Sequence, residues 1–129
     1  MTSHLVTNAA KLDIKAVLNE TKEQFGARQR AVYKRLIAKA VKTVADEPKR
    51  GGSWDSGAIV PGLRAFHLEH AAGKRGAAAH TLYYAVEVLA DASPRVVILR
   101  LLHETMEPQL HIARANVNRP SAKPKPSET

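Results

Sequence analysis

The chain has 129 residues, 44% of them hydrophobic and 25% charged, which suits one soluble domain built on a single core. Cysteine is absent, which excludes disulfides and thiol chemistry, and no apolar run is long enough to span a bilayer. A net charge of +8 and an isoelectric point near 10.1 favour acidic partners: nucleic acid, an acidic protein or an anionic surface.

Met1-Thr2-Ser3-His4 lacks the basic-then-apolar pattern of a signal peptide, so a cytoplasmic location is expected. Residues 3 to 7 read as a short strand. Asn8 follows as the expected N-cap, its side-chain oxygen accepting a free amide of the first turn. Ile14, Val17, Leu18, Thr21 and Phe25 recur at helical spacing and form one apolar face. Gly26 ends this helix, because it enters left-handed conformations at little cost.

A second helix is predicted over Ala27 to Asp46, with Tyr33, Leu36, Ile37, Ala40, Val41 and Val44 as its buried stripe. Arg28, Arg35, Lys39 and Lys42 fall on its opposite side. Residues 28 to 50 hold eight cations against two carboxylates, a net +6. Such a stripe is either a solvated face or a contact for nucleic acid or an acidic protein patch. No aromatics accompany it, which argues against single-strand binding.

Residues 49 to 62 are rich in glycine and serine and are expected to form a loop, with Trp54 folded onto a core edge or anchoring a partner. Three strands should follow: Leu63 to His70, His80 to Leu89 and Arg95 to Leu102. The second alternates Leu82, Tyr84, Val86 and Val88 against Thr81, Tyr83, Ala85 and Glu87. The third is apolar on both faces, as in the middle of a sheet, and only Arg100 interrupts it. An unpaired buried cation is costly, so Arg100 needs a carboxylate or a carbonyl, with Glu104 or Glu87 as the expected structural partner. His67 and His70 are expected on opposite faces of a strand, so no metal site is predicted, nor any cofactor. Residues 113 to 129, rich in Pro, Ser, Asn and Lys, are predicted to be a disordered basic tail behind a domain of residues 1 to 112.

This order of elements predicts an α+β fold: an N-terminal strand, then a helical hairpin packed on one face of a small antiparallel sheet. The other face should be solvated or covered by a partner.

Several segments resemble the RelE/ParE toxin superfamily. They are Ala9-Ala10 with Asp13, Ile14 and Val17, then Gly62-Leu63-Arg64-Ala65-Phe66-His67, then His80-Thr81-Leu82-Tyr83-Tyr84. Val97 to Leu102 with His103, Met106 and Leu110-His111-Ile112 completes the set. The resemblance spans residues 3 to 112. It implies a toxin of a type II toxin–antitoxin system, held in a hetero-oligomer by an antitoxin. In this superfamily RelE-type members cleave mRNA on the ribosome and ParE-type members inhibit DNA gyrase. No tyrosine follows Tyr84, and the C-terminal segment ends Gln109-Leu110-His111-Ile112. That favours the ParE branch, with gyrase as target, a ParD-like antitoxin as partner and no catalytic residues. The resemblance then implies partner contacts at Arg64, Tyr84, Arg100, His103 and Met106, joined by Arg28, Arg35, Lys39 and Lys42. On the alternative nuclease reading, Arg64 and Arg100 stabilise the transition state and His103 moves protons.

Overall fold

The computed structural model describes residues 3–112, so the basic tail predicted for 113–129 lies outside the described residues. β1 (Ser3–Val6) leads into α1 (Asn8–Phe25) and α2 (Ala27–Asp46). β2 (Ser53–Asp55), β3 (Arg64–His67), the single helical turn α3 (Glu69–Ala72), β4 (His80–Val88) and β5 (Pro94–His103) complete the domain, with a 3-10 turn at Pro108–Leu110.

The five strands form one sheet in the order β1-β5-β4-β3-β2. β1 runs parallel to β5, with Val6 opposite Ile98, and the remaining pairs are antiparallel. The sheet is therefore mixed rather than antiparallel throughout. The α1–α2 hairpin carries the chain away from β1 and covers one sheet face.

The N-cap of α1 is Thr7, one residue before the expected Asn8. Thr7 Oγ1 accepts the Ala10 N–H at 3.1 Å and donates to the Leu99 carbonyl at 3.1 Å, while the Thr7 N–H bonds Ile98 O. One side chain thus closes the strand and opens the helix. At the other end Gly26 (φ 94°, ψ 170°) is the whole connection between the two helices. A side chain would be strained in that conformation. Phe25, expected on the buried face, is 66% exposed and lies at the last residue of α1.

The loop expected over 49–62 contains β2, an edge strand too short and too glycine-flanked to announce itself. The strand expected over Leu63–His70 stops at His67: Leu68 turns into the right-handed helical region and starts α3, which Gly73 (φ 70°) closes.

Two apolar layers flank the sheet. Leu18, Ile37, Ala40 and Val44 of the helices meet Phe66, Leu82, Tyr84, Val96, Ile98 and Leu101. On the other face Val60, Leu63 and Ile112 cover Ala65, Tyr83, Ala85, Val97, Leu99 and Leu102. That face was expected to be open to solvent or a partner. The chain covers it itself, with the 56–63 loop and the segment after the 3-10 turn. This explains why Thr81 to Ala85 are all buried although they alternate in polarity.

Candidate functional site

Arg100 sits where the alternation of β5 breaks. Tyr83 lies opposite Arg100 but Tyr84 lies opposite Ile98, so β5 carries an extra residue there. A bulge of this kind shifts the two-residue period by one. Val96 and Ile98 face the helices, and after the bulge Leu101 rather than Arg100 resumes that face. A cation is therefore tolerated at this point of an apolar strand.

Its partner is neither Glu104 nor Glu87, as expected from sequence. Arg100 donates from Nε and Nη2 to the two oxygens of Asp13 on α1, at 2.7 and 2.9 Å, and from Nη1 to the His111 carbonyl at 2.7 Å. Asp13 also accepts the Leu101 N–H at 2.9 Å. β1 stops at Val6, so the carboxylate serves as acceptor where no neighbouring strand remains. Hydrogen bonding to Asp13 holds the guanidinium even more firmly protonated than usual. Glu87 pairs instead with Arg95, directly across β4 and β5, and Glu104 with His67.

The ends of β3, β4 and β5 bring together His67, His80 and His103, none of them grouped by the sequence reading except through their strands. The Tyr33 hydroxyl lies 2.7 Å from His80 Nδ1 and also accepts the Ala79 N–H at 3.3 Å. Burial, with His103 close by, lowers the His80 pKa to about 4, and burial raises that of the Tyr33 phenol. His67 Nδ1 accepts the Glu69 N–H and Nε2 meets Glu104 at 2.8 Å. His103 Nδ1 accepts the Thr105 N–H at 3.2 Å and lies 2.8 Å from its hydroxyl.

Two clefts share His80. One, of about 430 Å³, lies between the helical turn and the 69–80 connection, lined by Phe25, Gln29, Tyr33, Glu69 and Glu104. The other, of about 470 Å³, lies between α1 and the end of β5 and is lined by Asp13, Val17, Glu20, Arg100, His103 and Met106. The fold thus gathers three of the predicted residues, Arg100, His103 and Met106, into one cleft. It also adds Asp13 and His80 there, and Tyr33 in the neighbouring cleft, residues that the sequence reading counted only as parts of helices or a motif. A signal was present: Asp13 precedes buried Val17, and Tyr33 buried Ile37, by four residues, placing each on its helix's inner face.

Arg64 and Tyr84 lie elsewhere. They are opposite one another on β3 and β4, and both bond the Pro48 carbonyl, Tyr84 Oη at 2.5 Å and Arg64 Nε at 3.2 Å. Arg64 Nη2 also donates to Ser53 Oγ at 2.8 Å. Tyr84 is fully buried, so it braces the exit of α2 from inside and offers no surface to a partner. Arg28, Arg35, Lys39 and Lys42 are exposed on the outer side of α2. Trp54 is 44% exposed on edge strand β2. His70 packs against the Phe66 ring rather than beside His67, and no group of three or more metal-ligating side chains occurs among the described residues. No helix among them is long and apolar enough to cross a membrane.

The family model described as the ParE toxin of the type II toxin–antitoxin system parDE matches residues 5–108. The chain is also similar to Toxin ParE1 of Caulobacter vibrioides, with 26% identity over 112 residues, covering 87% of this chain and 99% of that protein.

Proposed function

Because the chain belongs to the ParE toxin family of type II toxin–antitoxin systems, we propose that it inhibits DNA gyrase by binding and is neutralised by a ParD-like antitoxin. The match over most of the domain carries this reading. Residues 1 to 112 are the toxin domain, acting in the cytoplasm, where the target would be met.

The site supports inhibition by contact rather than nuclease catalysis. Arg64 is held by Pro48 and Ser53, Arg100 by Asp13 and His111, and His103 by Thr105. Arg64 shares no partner with the other two and lies outside the cleft that Arg100 and His103 line. A general base needs a free imine nitrogen within reach of a substrate proton. In His103 that nitrogen, Nδ1, already accepts the Thr105 N–H.

Induction of the chain in bacteria, with plasmid topology and transcript integrity followed in one culture, tests the proposal. Gyrase-dependent topological change or DNA damage with intact transcripts is expected. Rapid ribosome-dependent cleavage of mRNA would overturn it in favour of the RelE-type reading.

A further inference from the structure

The cations of the sheet and those of α2 differ in one respect. Arg64, Arg95 and Arg100 are all held by acceptors of their own chain. Arg28, Arg35 and Lys39 form no ion pair among the described residues, and on this face only Lys42 does, with Asp46. α2 carries six cations and one carboxylate, whereas α1 carries three of each. Like charges at Arg35 and Lys39, four residues apart, repel and destabilise the helix. A face that served only as a solvated surface would gain from interleaved carboxylates, as α1 has.

At 3.6 residues per turn the four side chains fall within an arc of about 60°, in a row about 21 Å long. Ala31 and Ala38 flank the row and keep the helix backbone accessible. No aromatic side chain lies on this face, and Val32, 41% exposed at its rim, is the largest apolar group. Protein interfaces draw their energy from buried aromatic and arginine anchors, and single strands bind by stacking on aromatics. A bare row of cations suits a dense, sequence-independent line of phosphates instead, and B-DNA carries one charge per about 1.7 Å of its axis.

We propose that the outer face of α2, through Arg28, Arg35, Lys39 and Lys42, docks on the phosphate backbone of duplex DNA without reading its sequence. This inference stands apart from the gyrase reading, and its test needs no gyrase.

The purified full chain is titrated into labelled random-sequence 20-bp DNA duplexes, and binding is followed by anisotropy. Four phosphate contacts give a slope of about −3.6 in log affinity against log salt, a loss of roughly 150-fold between about 50 and 200 mM. Arg35→Glu with Lys39→Glu removes at least half of that slope. Lys11→Glu with Lys15→Glu on α1, an equal change of net charge at exposed positions, leaves the slope nearly unchanged. Circular dichroism of both variants establishes that they are folded. Equal losses in the two variants, or binding that survives the α2 reversal, would overturn the proposal. So would capture of poly-glutamate without capture of duplex DNA, which would assign the face to an acidic protein.

Discussion

Asp13 uses two oxygens for three hydrogen bonds, to the Arg100 guanidinium twice and to the Leu101 amide once. Asp13→Asn keeps the shape and removes the charge, leaving a partly buried guanidinium uncompensated. Breaking such a pair costs about 1–3 kcal/mol here, between a surface pair and a fully buried one because part of the Arg100 side chain reaches solvent. Urea denaturation reads this directly, and a loss below about 0.5 kcal/mol would mean that solvent screens the pair, as at a surface. Arg100→Ala is expected to destabilise comparably, so a binding defect in that variant must be measured on the folded fraction. His80 is the second residue with a consequence for stability. It faces Tyr33, His103, Glu20, Glu104 and His67, and its pKa falls from an ordinary 6.5 to about 4 in the folded chain. Between those values the unfolded chain binds the extra proton, so stability drops as pH falls from 6.5 towards 4 and is flat above. Because the ring is only partly buried, about 1–2 kcal/mol is expected over that window. Thermal melts of wild type and His80→Gln across it should differ in slope, the variant being flatter. Parallel slopes would remove His80 from this role.

Elements with a strong period were legible before any coordinates. α1 and α2 followed from apolar residues every three to four positions, β4 from its two-residue alternation, and β5 from a run apolar on both faces bounded by a turn. What was not legible depended on contacts distant in sequence. β2 exists because Trp54 pairs with Ala65, a partner that a glycine-rich stretch cannot reveal. β3 is shorter than expected because Leu68 turns its backbone to start α3 while its side chain stays in the core. The bulge in β5 explains Arg100 but leaves no mark in an apolar run. The candidate site was half legible. Arg100, His103 and Met106 share a stretch of chain and a cleft, whereas Asp13 and Tyr33 come from helices that only the fold brings to the sheet. Gly26 is one place where a single residue decides an element boundary. Nothing lies within 4 Å of where a Cβ would sit, so Gly26→Ala meets only backbone strain at φ 94°. A loss of about 1–2 kcal/mol is expected from chemical denaturation. A neutral result would show that the two helices can meet through another turn geometry.

At the scale of the molecule, the sheet has an apolar layer on each side, and the second is closed by the chain's own 56–63 loop. The Ser56 N–H bonds the Leu63 carbonyl at 2.8 Å, which shuts the loop and aims Leu63 into the layer formed by Tyr83, Ala85, Val97 and Leu99. Leu63 is fully buried. The flat of the sheet is thereby covered on both sides, while the clefts at the sheet end and the outer side of α2 stay exposed. The two layers are separated by the sheet itself, which makes them separable by mutation. Leu63→Ala is expected to cost about 2–5 kcal/mol, the range for truncating a buried leucine, and to move the denaturation midpoint accordingly. Duplex-DNA affinity per folded molecule should stay unchanged, because the α2 face lies across the sheet from the cavity created. A loss below about 1 kcal/mol would mark the loop as a loose cover that a partner can displace. A stability loss accompanied by weakened DNA binding would show instead that the second layer sets the position of α2, and that the sheet transmits strain between its faces.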